Sequence, residues 1–460
     1  MFDKVLIANR GEIAVRVIRA CRDLGLRSVA VYSEADRDGA HVRLADAAVA
    51  IGPAPGRLSY LDAEAILSAA KISGADAVHP GYGFLSENAD FAARCLEAGL
   101  VFIGPSPDAI RKLGHKSEAK ALARKASVPV VPGTAGLVGD DFMAEARRIG
   151  LPIMIKAAAG GGGKGLRLAR SESELEPQFK LAQSEALAAF KDGSIYLEKF
   201  ISRPRHVEIQ IAADGRGNVA AFPERDCTVQ RRHQKLIEES PSPAVTPRTR
   251  ARMREAAVAL AKSAGYSNVG TVEFLLDLDG PASDKDGQTF YFIEVNTRLQ
   301  VEHPVTEMVT GIDLVETQIL LAAGEPLPFP IDRASDIRGH AIEHRINAED
   351  PDRGFAPCPG LVKSMLSPGG AGVRLETHLY SGYTVPSFYD SLLAKLVVFA
   401  SGRPQAIARS KRALAELEIA GISTTVPFHL KVLDHPDFCS GRFDTGFVEA
   451  MKNGSKNGAS

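Results

Sequence analysis

The sequence predicts a three-part α/β and α+β protein, and three patterns carry that reading. Strand-like and helix-like segments alternate through residues 4–103, the pattern of a parallel sheet with connecting helices. Short apolar strands then dominate residues 151–295, two of them flanking a run of glycines, which predicts an antiparallel sheet in an α+β region. From about Asp336 the chain returns to mixed strands and helix.

Residues 4–8 read as a short buried strand, and 11–24 as a helix with Ile13, Val17, Ile18 and Leu24 near one face. A second strand follows at 27–32. Further strands fall at 75–79 and 100–103, with helical segments at 61–72 and 88–98. Parallel sheets bind ligands beyond the carboxyl ends of their strands. Two turns fit that place, Asn9-Arg10-Gly11-Glu12 and His79–Glu87; the first lacks the spacing of a dinucleotide fingerprint. The second region opens with a helix at 117–126 and a Pro-rich connection at 128–133. Strands are predicted at 151–157, 165–169, 195–198, 206–211, 271–278 and 290–295. The third region has strands at 341–347 and 372–376, a helix near 404–416, and turns at Pro357–Gly360 and Ser367–Gly370. The Gly/Ser/Lys/Asn tail Asn453–Ser460 is expected to fray. No internal repeat is visible.

The 460 residues allow two to four domains. A net charge of −1 argues against a general nucleic-acid or anionic-membrane binder. The five cysteines are widely spaced, without a C-x-x-C pair. That pattern fits reduced thiols in a cytoplasmic protein rather than a zinc site or disulfide framework. No signal peptide pattern opens the chain, and no apolar run approaches a membrane span.

The most informative stretch is Glu294–Glu302. Read as one extended strand, it places Glu294, Asn296, Arg298, Gln300 and Glu302 on one side, with Val295, Thr297, Leu299 and Val301 opposite. A hard-cation pair, an anion-binding arginine and a candidate base follow one another in that order. Glu273, on the predicted preceding strand, joins Glu294 and Asn296 as a plausible Mg²⁺ site, since Mg²⁺ takes few protein oxygens and completes its shell with phosphate and water. Gly160–Gly165 is neither a Walker A loop nor a Rossmann turn. It lies between strands, as a hairpin tip able to fold over a phosphate chain, with Lys156 and Lys164 adding charge. The segment Glu224–Lys235 gathers Arg225, Arg231, Arg232, His233 and Lys235 without interleaved aromatics, which suits a polyphosphate and a small anion. Cys227 reads as a small apolar filler. Glu449-Ala-Met-Lys452 imitates a biotin attachment sequence, but its flanks read as a helix end rather than a hairpin tip.

Taken in order, Ile7–Ala14, His79–Asn88, the 156–165 loop, Arg205–Gln210, Glu224–Lys235, Glu294–Thr306 and Arg338–Asp350 make the chain resemble biotin carboxylase over about residues 2–450. The resemblance implies a parallel α/β N-terminal domain (1–113), an ATP-grasp domain (114–333) with a glycine-loop lid at about 131–203, a C-terminal α/β domain (334–450) and a flexible tail (451–460). It implies carboxylation of biotin, through carboxyphosphate, with MgATP and bicarbonate. Lys116, Lys156, Glu198, Lys199, Phe200, Ile201, His206 and His233 would hold ATP, with Gly162 and Gly163 over its phosphates. Glu273, Glu294 and Asn296 would bind Mg²⁺ or Mn²⁺, the two glutamates also contacting nucleotide. Lys235, Arg298, Gln300 and Val301 would fix bicarbonate, Glu302 would deprotonate it, and Arg345 and Tyr82 would meet biotin. Implied partners are a biotin carboxyl carrier protein, carboxyltransferase subunits and a second copy of the chain, with no nucleic acid or membrane.

An acetyl-CoA carboxylase is the first expectation, but propionyl-CoA, another acyl-CoA, pyruvate and urea stay open, because a separate transferase chooses the acceptor. Arg298–Glu302 together with Arg345 favour biotin over the amine of another ATP-grasp ligase, and the full set of reactive residues argues against a silent homologue. The chain departs from the family pattern at His115, where an Asp usually precedes the lysine, and at His344, which would add a pH-sensitive group beside Arg345.

Overall fold

The computed structural model describes residues 2–134, 136–139, 141–157, 166–190, 192–280 and 287–457. The first region forms a five-stranded parallel sheet ordered Ala47–Ala50, Arg27–Tyr32, Lys4–Ile7, Ala77–His79, Val101–Phe102. Its inner strands are largely apolar because helices cover them: Val5, Leu6 and Ile7 are all fully buried. The two turns singled out in the sequence leave the carboxyl ends of neighbouring strands and are tied together. Asn9 Nδ2 donates to the carbonyls of Pro80 (2.7 Å) and Tyr82 (2.8 Å). Gly81, at φ +63°, permits that approach, since a Cβ there would sit 2.8 Å from Asn9 Nδ2.

The central sheet has eight antiparallel strands, in the order Phe290–Asn296, Asn268–Asp277, Pro204–Ala213, Val219–Arg231, Gln234–Ser240, His340–Asn347, Leu392–Ala400 and Val373–Thr377. It runs without a break from the second region into the third, through the pairing of Ile237–Ser240 with Ala341–His344. Three strands of the third region therefore extend this sheet. A separate three-stranded sheet (Leu166–Ala169, Ile153–Ala157, Ile195–Lys199) is backed by the helix Glu172–Phe190. Its first two strands are antiparallel, with Lys156 opposite Leu166. Gly162, Gly163 and Lys164 lie outside the described residues.

Three sequence readings change. The strand expected over Glu294–Glu302 ends at Asn296. Beyond it Glu87 takes the Thr297 N–H, and a turn leads into the helix His303–Thr310, which carries Pro304 in its first turn, where the missing N–H does no harm. The charged segment Glu224–Lys235 is most of a long β-hairpin, with Arg232 and His233 at its tip. The expected tail from 451 continues the final helix Phe447–Asn457, where Met451 packs on the C-terminal core and Lys452 lies over the Phe355 ring. Lys452 thus sits on a helix, not on a hairpin tip. The five cysteines are free thiols. No helix among the described residues is long and apolar enough to cross a membrane.

Candidate active site

One cleft of about 1570 Å³ is lined by turns of the N-terminal region and by strands of the central and three-stranded sheets. Every predicted site residue that the structure describes faces it: Lys116, Lys156, Glu198, Lys199, Phe200, Ile201, His206, His233, Lys235, Glu273, Glu294, Asn296, Arg298, Gln300, Val301, Glu302, Arg345 and Tyr82. The five polar residues of Glu294–Glu302 thus reach one cavity, although a strand carries the first two and a turn the rest.

At one end of the cleft, Glu198 receives ion pairs from both Lys156 and Lys120. Burial works to raise the Glu198 pKa, but these two ammonium groups outweigh it and lower it. The Lys199 ammonium is committed to the carbonyls of Gly150 (3.0 Å) and Leu151 (2.6 Å). Lys120 was missed in the sequence, although it follows Lys116 by one turn on the helix Lys116–Lys125 and so shares its face. His115 stays at the surface, with Nδ1 3.0 Å from Ser117 Oγ.

In the middle, Glu273 and Glu294 are direct cross-strand partners. Burial, then the neighbouring Glu273 charge, raise the Glu294 pKa. Asn296 Nδ2 donates to Glu273 Oε1 at 2.9 Å while its Oδ1 accepts from Arg298, so two carboxylates and an amide from two neighbouring strands meet here. Such donors fit Mg²⁺ or Mn²⁺. His206 Nε2 lies 2.9 Å from Glu273 Oε2; burial opposes its charge, but Glu273 outweighs that and raises its pKa.

At the other end, Lys235 Nζ meets Glu208 (2.7 Å), Glu273 (3.1 Å) and Glu302 (2.5 Å). Arg345 Nη2 lies 2.8 Å from the second Glu302 oxygen, and Arg345 Nε donates to Glu238 at 2.6 Å. Burial alone would raise Glu302; Lys235, Arg345 and Arg225 instead hold it well below the usual carboxylate range. Arg298 is oriented by Glu87 (2.9 Å) and the Asn296 side-chain oxygen Oδ1 (2.9 Å).

The basic run divides. Arg232, His233 and Lys235 line the cleft, but Arg225 is fully buried beneath it, and Arg231 stacks on Phe355 and donates to the Gly354 carbonyl. Arg225 contacts Glu208, Gln210, Thr271, Gln300 and Thr306. Cys227 is buried, with its sulfur 3.8 Å from Glu302 and its pKa pushed well up by burial and nearby carboxylates, which leaves a neutral thiol filling the floor. Glu208 and Glu238 were not singled out in the sequence. Glu208 had a readable signal, two residues from His206 on the same strand face. Glu238 had none, because the strand bearing it was not foreseen.

His344 does not add the expected pH-sensitive group. Strand alternation turns it away from Arg345, it packs edge-on against His429 with centroids 5.2 Å apart, and burial holds it well below the usual histidine range.

Residues 1–110 match the biotin carboxylase N-terminal domain, 115–329 the ATP-binding domain of the carbamoyl-phosphate synthase L chain, and 343–450 the biotin carboxylase C-terminal domain. The chain is 53% identical over 451 residues to biotin carboxylase 1 of Bacillus subtilis, covering 98% of each. A biotin carboxylase–βγ-ATP complex from Campylobacter jejuni superposes with a TM-score of 0.89 at 47% identity, over 98% of this chain and 99% of that one. The biotin carboxylase domain dimer of the Hydrogenobacter thermophilus 2-oxoglutarate carboxylase, solved with MgADP, ADP and bicarbonate, gives 0.87 at 45% identity, over 98% of both chains. Sequence, fold and cleft agree: the chain belongs to the biotin carboxylase family and is an ATP-grasp ligase.

Proposed function

We propose that this chain carboxylates biotin borne on a separate carrier protein, using MgATP and bicarbonate, as the first half-reaction of an acetyl-CoA carboxylase. The observation that carries the reading is Glu302, ionised and gripped from opposite sides by Lys235 and Arg345.

Lys116, Lys156, His206, His233 and the segment Glu198–Ile201 hold ATP, and the three-stranded unit within residues 131–203 closes over it as a lid. Glu273, Glu294 and Asn296 hold Mg²⁺ or Mn²⁺. When bound, that ion neutralises charge on the transferring phosphoryl group. Bicarbonate lies against Lys235, Arg298, Gln300 and Val301, where a planar guanidinium suits a planar anion. Its arrival weakens the hold of Lys235 on Glu302, and a second anion nearby raises Glu302's proton affinity at the moment a base is needed. The bicarbonate proton passes to Glu302, its oxygen bonds the γ-phosphorus, and ADP leaves. Carboxyphosphate then splits into CO₂ and phosphate. N1′ of biotin bonds the CO₂ carbon, and its proton goes to the phosphate. Once protonated, Glu302 releases Arg345 Nη2, which is then free to stabilise charge on the ureido oxygen beside Tyr82. A second copy of the chain and carboxyltransferase subunits complete the assembly.

The test is ADP release from MgATP with free biotin and bicarbonate, each omitted in turn. Release that needs both supports the reading; release driven by another small nucleophile without biotin overturns it. Adding biotinylated carrier and candidate transferases with acetyl-CoA, propionyl-CoA, pyruvate or 2-oxoglutarate then decides the acceptor.

A further inference from the structure

Lys395 is a fully buried cation that the scheme above does not use. It sits on the strand Leu392–Ala400, directly opposite Arg345 on one side and Glu376 on the other. Its ammonium leaves the C-terminal region and reaches two others. Nζ donates to the Val301 carbonyl at 3.0 Å and lies 3.2 Å from Glu12 Oε2, in the first turn after the N-terminal strand. Tyr82, from the second N-terminal turn, places its ring centroid 5.8 Å from the same nitrogen. Glu12 is itself buried, and neither of its oxygens has a hydrogen-bond partner, so Lys395 is its only close counter-ion among the described residues.

A lysine placed only to balance Glu12 has no need to reach the backbone between Gln300 and Glu302. The Val301–Glu302 peptide belongs to the turn that replaces the expected strand, and no sheet partner fixes it. The hydrogen bond from Lys395 supplies that constraint from below. We propose that Lys395 is a positioning residue for bicarbonate activation: it pins the Val301 carbonyl, aims the Glu302 carboxylate, and through Glu12 locks the N-terminal turns that carry Tyr82 onto the same end of the cleft. This inference rests on the functional reading given above. It differs from the ligand contacts there because Lys395 touches no substrate; it acts through Val301 and Glu302.

The test uses Lys395→Met, which keeps length and removes charge, and Lys395→Met/Glu12→Gln, which also removes the stranded buried carboxylate. Thermal melting, calorimetric ADP binding, and the KM for bicarbonate in biotin-dependent ADP release are measured on the full chain. Lys395→Met is expected to melt lower, since an unpaired buried carboxylate is costly. The double variant is expected to recover most of that loss and bind ADP within twofold of the unaltered protein. Its KM for bicarbonate should stay raised about tenfold or more, because misaimed reacting groups are costly even when fold and binding survive. A double variant that regains both melting temperature and bicarbonate KM would reduce Lys395 to a counter-ion for Glu12. Failure of both variants to fold would make its role architectural and overturn the inference. Unaltered protein that releases no ADP in response to biotin and bicarbonate would instead overturn the functional reading, and this inference with it.

Discussion

Lys235 Nζ lies 2.5 Å from Glu302 Oε1, and the pair is almost wholly out of water, with side-chain exposures of 12% and 2%. That contact sets both what Glu302 can do and what the fold loses if either partner is changed.

Glu302→Gln keeps the shape of the side chain but cannot accept a proton. We expect ADP affinity within about twofold of the unaltered protein, and a bicarbonate-dependent rate lower by about 10²–10⁴-fold, the usual range for a lost general base. Nucleotide titration by calorimetry and ADP release measure the two separately. Loss of ADP binding in step with activity would remove Glu302 from the base role.

Lys235→Gln leaves Glu208, Glu273 and Glu302 facing one another without the cation they share. Removing one partner of a buried ion pair costs about 3–5 kcal/mol, so the urea midpoint should fall clearly. The bicarbonate requirement should rise as well. Equal bicarbonate dependence in variant and unaltered protein would take Lys235 out of the anion site.

The carboxyl cluster behind Arg345 predicts a stability that depends on pH in a definite direction. Glu238 and Glu343 are cross-strand partners, both fully buried, and neither Glu343 oxygen has a hydrogen-bond partner. Burial pushes both up; Arg345 opposes the rise of Glu238, which reaches about 7, while the Glu238 charge adds to the rise of Glu343, which goes well above the usual range. A raised carboxyl binds its proton more tightly in the folded state. Its contribution is therefore fully present below the unfolded value near 4.5 and is lost as pH rises through the folded value. Glu239 has the opposite sign. Burial alone would raise it, but Arg403 and His340 draw it down to about 2, so its contribution is complete above about 4.5 and is lost only as pH falls toward 2. Glu343→Gln, neutral at every pH, should melt higher than the unaltered protein at pH 8, and the gain should shrink steadily toward pH 5. A pH-independent difference between the two would contradict a proton on Glu343.

How far the sequence could be read follows from which interactions are local. The helix Gly11–Asp23, the strand Arg27–Tyr32 and the strands Ile153–Ala157 and Leu166–Ala169 announce themselves by period and by apolar content. Glu294 and Asn296 were legible as one face because a real strand carries them. Gln300 and Glu302 face the same cleft for a different reason: Glu87, more than two hundred residues away in the chain, takes the Thr297 N–H and ends the strand. No local pattern encodes that contact. The hairpin Val219–Ser240 was hidden because its two strands bury charged side chains such as Arg225 and Glu238, which on composition alone read as a solvated run. Only pairing on both sides makes those positions interior. The apolar run Leu392–Ala400, which carries Lys395, had a strand signal that went unread, whereas the joining of the third region to the central sheet rests on long-range pairing and has no local signal.

Arg225 offers the sharpest test of that hidden interior. Nε donates to Glu208 (2.5 Å), Nη1 to Gln210 (2.7 Å) and Thr306 (3.0 Å), and Nη2 to Thr271 (3.0 Å) and Gln300 (2.7 Å). All five N–H groups of the guanidinium are used, in a fork that a lysine cannot copy. Arg225→Lys keeps the charge near Glu208 but leaves several buried acceptors without donors, each costing about 1–3 kcal/mol. The urea midpoint should fall even though net charge is unchanged. Gln300 and, through Glu208, Lys235 should lose their alignment, so the KM for bicarbonate should rise while the KM for ATP moves less. Thr306→Val removes one of the five bonds and should shift both stability and bicarbonate KM in the same direction by a smaller step. A lysine variant with normal stability and normal bicarbonate KM would show that charge alone, without the fork, is sufficient beneath this site.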